Sequence, residues 1–328
     1  MSKKIVGIAM GGFSSEKKIS IRSGNEVYNN LDKDKWEVYK IEISSNDWFV
    51  TYENKKSLID KSNFSFYKEN KELHFDVVFN AIHGSPGEDG KLAKILESLN
   101  IPFTSCNSKS AVITFNKKKC VDYAKKNNVL TAKSILIKKN QKIDTEKLIK
   151  TIGIPCFVKP NSSGSSFGVS KITEKDKLND AIRLAFKEDK EIIVESELKG
   201  EEVSVGLYKN EDEIITLPIT EIVSEKDFFD YEAKYQGKAE EITPANILEE
   251  TKKIINKISI DLYQKLNLIG VVRIDFIIVN DKPHLLEINT VPGLTKESII
   301  PKQLNAANIS NKDLFESMLL LALNENKK

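Results

Sequence analysis

The stretch GVVRIDFIIVNDKPHLLEINTVPG, residues 270–293, predicts a β-hairpin with charged groups set among apolar ones. On its first strand, apolar residues alternate with Arg273 and Asp275, so these two side chains share one face. Glu287 and Asn289 share a face of the return strand by the same period. A turn of three residues would place Asp275 opposite Asn289 and bring the two polar faces together.

Two carboxylates, an amide and a guanidinium on one face form a candidate metal site. Carboxylate and amide oxygens suit Mg²⁺, which takes few protein ligands and completes its shell with phosphate and water. A neighbouring Arg273 would stabilise an oxyanion beside the metal. The alternative is a surface ion pair, which is less favoured because both strands are otherwise apolar.

Outside the hairpin, the pattern predicts three units. Alternating strands and helices over residues 1–105 predict an α/β unit with a mostly parallel sheet and a site at the strand carboxyl ends. Residues 106–198 predict a small α+β unit. Residues 199–328 contain the hairpin, a long amphipathic helix and two C-terminal helices. They also contain a polar, aromatic segment without period, 224–244, which is typical of a functional lid.

Two glycine-containing loops are further candidates. The loop Asn161–Gly168 follows Lys159 between two strands, and its serines and glycines favour an anion nest, although a plain linker fits equally well. The turn Gly11–Glu16 joins a strand to a helix. Glu16 is favourable there for the helix dipole alone, and it is also placed to hold an ammonium group.

Composition excludes several classes of protein. The chain of 328 residues carries 50 Lys and Arg against 48 Asp and Glu, a formal net charge of +2. This balance gives no support to a nucleic-acid-binding protein that relies on bulk positive charge. No run approaches the roughly 20 apolar residues that a membrane helix needs. Neither nucleic acid nor a membrane is therefore expected as a partner.

Three cysteines without C-x-x-C spacing exclude a disulfide framework and most zinc sites. They fit a reducing cytoplasm, and each is expected to be a small buried side chain. With three histidines and none at i, i+4, a histidine metal site is disfavoured. Any metal here should be a hard cation bound by oxygen.

Over nearly its whole length the sequence resembles the D-alanine–D-alanine ligases, a family of the ATP-grasp superfamily. Six segments in chain order carry the resemblance: GGFSSEKKIS (11–20), FNAIHGSPGEDG (79–90), CFVKPNSSGSSFGVSKI (156–172), FFDYEAKYQGKAEEITPA (228–245), VVRIDFI (271–277) and LLEINTVPGLTKESII (285–300). The resemblance implies an N-terminal parallel-sheet domain that contributes to the D-alanine site, and two α+β units that clamp ATP.

The resemblance also implies an ATP site and a metal site. The matching nucleotide-binding positions are Lys117, Lys159, Ser165, Ser166, Glu195, Leu198, Glu202 and Lys234. The family's metal ligands match Asp275, Glu287 and Asn289, which would hold two Mg²⁺ ions, with Mn²⁺ as a substitute. These are the residues that the hairpin pattern selects without the family.

The implied reaction is ATP-dependent joining of two D-alanine molecules through an acyl phosphate, for peptidoglycan precursor synthesis. The matching catalytic and substrate-binding positions are Glu16, His83, Ser165, Tyr235, Arg273 and Ser298. Within the family, a lid tyrosine such as Tyr235 favours D-alanine over D-lactate as second substrate. The resemblance also implies a cytoplasmic homodimer. A D-alanine–D-lactate ligase, another ATP-grasp carboxylate–amine ligase and a nucleotide-binding protein without turnover are the alternatives.

Overall fold

The computed structural model describes residues 3–164, 167–224 and 239–325. In these ranges the α-helices are Lys17–Asn30 (α1), Lys91–Ser98 (α2), Ser108–Phe115 (α3), Lys117–Lys126 (α4), Thr145–Ile152 (α5), Leu178–Glu188 (α6), Glu249–Lys265 (α7), Ile299–Ala306 (α8) and Asn311–Glu325 (α9). No helix within the described ranges has the length and hydropathy needed to cross a membrane.

The first strands form a five-stranded sheet in the order β4-β3-β2-β1-β7 and a separate hairpin, β5-β6. Their bounds are Lys4–Gly11 (β1), Trp36–Ile43 (β2), Trp48–Tyr52 (β3), Lys55–Leu58 (β4), Ser65–Lys68 (β5), Lys71–His74 (β6) and Val77–Asn80 (β7). As expected, β1 is parallel to β2 and β7. The antiparallel strands β3–β6 were not predicted. The strand expected over 101–104 is only one bridge, from Phe103 to Val78.

Two more sheets follow: an antiparallel one in the order β11-β10-β12-β9, and a larger one in the order β16-β15-β13-β17-β18-β8, with β14 on β13. Their strands are Leu130–Thr131 (β8), Ser134–Lys138 (β9), Cys156–Pro160 (β10), Ser170–Ile172 (β11), Glu191–Ser196 (β12), Glu201–Asn210 (β13), Glu213–Thr216 (β14), Thr220–Ser224 (β15), Ala239–Ile242 (β16), Val272–Val279 (β17) and Lys282–Asn289 (β18).

The hairpin of β17 and β18 exists, but its predicted register is wrong. Its turn has two residues, Asn280 and Asp281, both with positive φ, rather than three. Continued without interruption, that register would place Glu287 on the face opposite to Asp275. A β-bulge makes Leu286 an extra residue, so Asp275 pairs with Glu287 instead of Asn289. The bulge brings the polar faces together.

The N-terminal sheet and the C-terminal helix α9 share one hydrophobic core. Apolar side chains of β1 and β7 pack with those of α9, for example Phe79 against Phe315. Side chains of α3 and α4, including Cys120, belong to the core under the larger sheet, which β8 extends beside β18. The division at residues 105 and 198 remains a prediction from the sequence.

All three cysteines are free and buried, as predicted. Burial raises the pKa of the Cys106 and Cys120 thiols to about 12 and also raises that of Cys156. Near neutral pH they are protonated, so none is a nucleophile.

Candidate functional site

A cleft of about 740 Å³ opens where the five-stranded sheet meets the larger sheet. Its lining combines the turn after β1, the loop after β7, the β17–β18 hairpin and the segment leading into α8. The cleft gathers eight of the residues selected from the sequence: Glu16, His83, Glu202, Arg273, Asp275, Glu287, Asn289 and Ser298. The first and last of these residues, Glu16 and Ser298, are more than 270 positions apart in the chain, so tertiary structure brings the set together.

The charged hairpin face is densely hydrogen-bonded. Arg273 Nη2 lies 2.6 Å from Asp275 Oδ2 and 3.9 Å from Glu287 Oε1. The Asn289 amide donates to Asp275 Oδ2 at 3.0 Å. Asp275 is only 3% exposed, so these donors replace most of the hydrogen bonds that water would make to an exposed carboxylate. The surface ion pair considered from the sequence is therefore excluded.

Of the three lysines selected for phosphate contact, the two that the structure describes, Lys117 and Lys159, are each paired with a carboxylate. Lys117 Nζ lies 3.1 Å from Glu287 Oε2 and donates to the Ser163 carbonyl at 3.0 Å. Lys159 Nζ lies 2.9 Å from Glu195 Oε2. Burial has the largest single effect on the pKa of Lys117 and lowers it, but Glu287 and Glu195 together raise it further, so the pKa lies above its usual value. Lys117 therefore stays charged near neutral pH.

The His83 ring is bonded at both nitrogens. Nδ1 lies 2.8 Å from the Val291 carbonyl oxygen, which only accepts, so Nδ1 carries the proton. Nε2 lies 2.9 Å from Ser23 Oγ and therefore accepts from that hydroxyl. Burial lowers the pKa of His83, only partly offset by nearby Glu16. The neutral ring fixes the turn that contains Val291.

Glu88 lines the same cleft but was not among the residues predicted from the sequence. Its carboxyl group accepts the Gly84 N–H at 2.7 Å and is also bonded by the Val291 N–H. Glu88 and His83 together therefore hold both polar backbone groups of Val291. Glu88 lies within the motif-bearing segment 79–90, but nothing in the neighbouring sequence distinguishes it from an ordinary loop residue that precedes a helix.

Burial, followed by the charge of Glu16, raises the pKa of Glu88 to about 8. Between the ordinary value of 4.5 and 8, the folded state keeps a proton that the unfolded state releases, so stability falls as pH rises. We expect Glu88→Gln to remove up to about 1.4 kcal/mol per pH unit from this slope. Urea unfolding at pH 6, 7 and 8 measures it, with exposed Glu213→Gln as control. Equal slopes in Glu88→Gln and wild type would contradict the prediction.

Glu16 precedes α1 and is 7% exposed. It faces the cleft and also a second cavity, of about 480 Å³, lined by the Ser162–Gly164 segment and Phe13. A Cβ added to Gly164 would lie 2.6 Å from Glu16 Oε2 and 2.7 Å from Oε1. Glycine at 164 is therefore what lets the serine- and glycine-containing loop touch this carboxylate.

Gly164→Ala should displace the Glu16 carboxylate, because both its oxygens lie inside the contact distance of the new methyl group. On the prediction that Glu16 holds a substrate ammonium group, we expect the KM of that substrate to rise roughly tenfold, which corresponds to the lower range of overpacking costs. Steady-state kinetics measures this, with Ser162→Ala, which adds no atom to the same loop, as control. An unchanged KM would contradict the placement of Glu16.

The other predicted positions are more dispersed. Ser298 precedes α8, and its Oγ lies 2.9 Å from Thr295 Oγ1. Leu198 follows β12 and is half-buried. Four candidates lie outside the described residues: Ser165, Ser166, Lys234 and Tyr235. Residues 225–238 of the predicted lid lie outside them as well.

The donor set on the hairpin fits a hard divalent cation. No group of three or more His, Cys, Asp or Glu side chains suited to a metal occurs in the described part of the chain. Asp275 and Glu287 instead supply two carboxylates and Asn289 an amide oxygen, facing one cleft. That set fits Mg²⁺, which typically uses one or two carboxylates and takes its other ligands from phosphate and water.

Comparison with known proteins covers nearly the whole chain. A family model described as D-ala D-ala ligase N-terminus matches residues 5–106, and one described as D-ala D-ala ligase C-terminus matches residues 124–320. The D-alanine–D-alanine ligase of Christiangramia forsetii is 46% identical over 324 residues, covering 98% of this chain and 99% of its own. That of Flavobacterium johnsoniae is 47% identical over 321 residues, covering 98% and 99%.

Solved structures agree. D-alanyl-alanine synthetase A from Vibrio cholerae has a TM-score of 0.89 at 26% identity, covering 99% of each chain. A D-Ala:D-Ser ligase from Enterococcus faecalis has a TM-score of 0.87 at 29% identity, covering 98% of this chain and 100% of its own. The Bacillus anthracis D-alanine–D-alanine ligase complexed with ATP reaches 0.80 at 31%, covering 100% and 99%. These likenesses confirm the expected fold.

Proposed function

The chain belongs to the D-alanine–D-alanine ligase family, and on that premise we propose how its own residues carry out the ATP-dependent joining of two D-alanine molecules for the cell wall. One observation supports the assignment of roles most strongly. The carboxylate of Glu16, the guanidinium of Arg273 and the hydroxyl of Ser298 come from three distant segments and line one cleft. An ammonium ligand, an oxyanion ligand and a carboxylate ligand are what two D-alanines and their tetrahedral intermediate require.

In the first step, a carboxylate oxygen of the first D-alanine attacks the γ-phosphorus of ATP. An acyl phosphate forms, and ADP leaves. In the second step, the amine nitrogen of the second D-alanine attacks the acyl carbon, and the tetrahedral intermediate expels phosphate. The products are D-alanyl-D-alanine, ADP, phosphate and the proton released by the amine.

We assign the substrate contacts as follows. Glu16 binds the ammonium of the first D-alanine, and Ser298 binds the carboxylate of the second. Arg273 and a backbone N–H near Gly293 stabilise the oxyanion of the tetrahedral intermediate. Ser165 and Tyr235 are proposed to join Glu16 in a hydrogen-bonded group that closes over the first substrate.

ATP is assigned to the region between the β11-β10-β12-β9 sheet and the larger sheet that contains the β17–β18 hairpin. Lys117 and Lys159 offset charge on the phosphates. Each is paired with one carboxylate, Glu287 or Glu195, that phosphate can displace. The remaining proposed contacts are Ser165, Ser166 and Lys234 to phosphate, Glu195 and Leu198 to adenine, and Glu202 to ribose.

Asp275, Glu287 and Asn289 are proposed to hold two Mg²⁺ ions, or Mn²⁺ in their place. When bound, the ions neutralise phosphate charge and act as Lewis acids on the transferring phosphoryl group. His83 is proposed to position Val291 rather than to accept a substrate proton, because both its nitrogens are already bonded. We further propose a homodimer that works in the cytoplasm, where ATP is available.

Purified protein with ATP, Mg²⁺ and D-alanine should release ADP and phosphate and form the dipeptide, identified by its mass. A parallel incubation with D-alanine and D-lactate tests the depsipeptide alternative. Dominant D-alanyl-D-lactate near neutral pH would assign the chain to that alternative. ATP binding without phosphate release under either condition would overturn the proposed ligation.

A further inference from the structure

We propose that Ser204 is a positioning residue for Asp275, and that Gln303 holds the strand segment carrying Ser204 in place. The two form a buried support beneath the proposed metal site. The inference rests on the proposed role of Asp275 as a metal ligand. It concerns residues that neither the sequence pattern nor the family motifs selected.

Ser204 and Asp275 are directly paired across β13 and β17. The Ser204 hydroxyl donates to Asp275 Oδ1 at 2.5 Å. Ser204 is fully buried, and Asp275 is 3% exposed. A hydroxyl that donates to a buried carboxylate makes a strong, charge-assisted hydrogen bond, because no water competes for either group.

The two oxygens of Asp275 have different surroundings. Oδ1 accepts from Ser204 inside the sheet and from Arg273 Nε at 2.8 Å. Oδ2 accepts from Arg273 Nη2 at 2.6 Å, from Arg273 Nε at 3.2 Å and from the Asn289 amide at 3.0 Å, so Arg273 bonds both oxygens. Ser204 therefore fixes Oδ1 from within the sheet, while Asn289, which lines the cleft, bonds only Oδ2.

Gln303, on α8, is also fully buried. Its Nε2 donates to the Ser204 carbonyl at 2.9 Å and to Thr220 Oγ1 at 3.1 Å. The Thr220 hydroxyl lies 2.7 Å from that of Thr243. Gln303 thus ties β13 to β15 at the level of Asp275, and it fits only because Gly206 leaves the space: a Cβ there would lie 2.5 Å from Gln303 Oε1.

A support of this kind acts by holding the carboxylate in one orientation before the cation arrives. Loss of a group that orients a metal ligand typically weakens metal binding by about 10- to 100-fold. Ser204 is not among the residues that line the cleft, so its effect on a bound cation would pass through Asp275. We therefore expect an effect on metal affinity that is separate from folding.

The chain offers a matched control in Ser259 of α7. It is a fully buried serine like Ser204, but its hydroxyl has no hydrogen-bond partner among the described residues. Ser204→Ala and Ser259→Ala make the same chemical change in equally buried places. Ser204→Thr keeps the hydroxyl and tests whether the hydrogen bond itself matters.

The experiment titrates Mn²⁺ into the full chain with the β,γ-methylene analogue of ATP and follows free Mn²⁺ by electron paramagnetic resonance. We expect Ser204→Ala to raise the Mn²⁺ Kd about tenfold or more. Ser204→Thr should restore most of the affinity, and Ser259→Ala should match wild type. Asp275→Asn, run in parallel, should show the largest loss, and thermal unfolding establishes that each variant is folded.

If Asp275→Asn loses Mn²⁺ but Ser204→Ala binds it as wild type does, the positioning role is overturned while the metal assignment survives. If Ser259→Ala loses as much as Ser204→Ala, the effect is general destabilisation, and the proposal also fails. If Asp275→Asn binds Mn²⁺ as tightly as wild type, the metal assignment falls, and the role of Ser204 falls with it.

Discussion

Replacement of Asp275 by asparagine should lower turnover about a thousandfold, corresponding to roughly 4 kcal/mol of lost transition-state stabilisation. Asparagine keeps the volume of aspartate but has no charge to offer a divalent cation. It also offers only one acceptor oxygen where the carboxylate has two. Ser204, Arg273 and Asn289 all donate to that carboxylate, so at least one donor would lose its acceptor.

The measurement is dipeptide formation at saturating ATP and D-alanine over a range of Mg²⁺ concentrations. Asp212→Asn is the matched control, because Asp212 is exposed in the β13–β14 turn of the same sheet. We expect that variant to match wild type within about twofold, as surface substitutions usually do. A fully active Asp275→Asn enzyme would contradict the assignment of the hairpin as the metal site.

The alternation of charged and apolar residues was sufficient to predict which hairpin side chains share a face. It was not sufficient for the register. The sequence reading required a three-residue turn, whereas Asn280 and Asp281 form a two-residue turn in which both residues have positive φ. Only the bulge at Leu286 keeps the charged residues of both strands on one face. Nothing in the sequence distinguishes Leu286 from an ordinary strand residue.

Contacts between distant segments account for what the sequence could not reveal. Glu88 and His83 act on Val291, more than 200 positions away, and Ser204 acts on Asp275 through strand pairing. A small polar residue within a β-strand has no local feature that marks it as the partner of a buried carboxylate. The role of Ser204 becomes visible only from the pairing of β13 with β17.

Strands β3–β6 escaped prediction for a related reason. These strands have only four or five residues each, and their sequences, WFVTY, KKSL, SFYK and KELH, do not alternate polar and apolar side chains. Such short strands are stabilised by packing rather than by local preference. Trp48, Phe64 and Phe66 are buried with Phe75 in one aromatic cluster. That cluster exists only once the two hairpins fold against β2.

Replacement of Arg273 by methionine should lower kcat by about 100- to 1,000-fold, the usual effect of removing one oxyanion ligand. Methionine retains much of the apolar length of the side chain but removes every donor. The guanidinium lies 2.6 Å from Asp275 and 3.9 Å from Glu287, so it also balances charge between the two carboxylates. Arg273→Lys keeps the charge without the planar pair of donors, and its loss should be intermediate.

Which of the two steps is slowed in Arg273→Met distinguishes the oxyanion role from simple charge balance. If Arg273 acts on the tetrahedral intermediate, the first step should survive in Arg273→Met. Rapid quenching should then show a stoichiometric burst of ADP followed by slow dipeptide formation. The control is Arg183→Met, the same change at an exposed arginine of α6. A loss of the ADP burst in proportion to turnover would show instead that Arg273 acts on phosphoryl transfer, because the guanidinium would then be needed before the amine attacks.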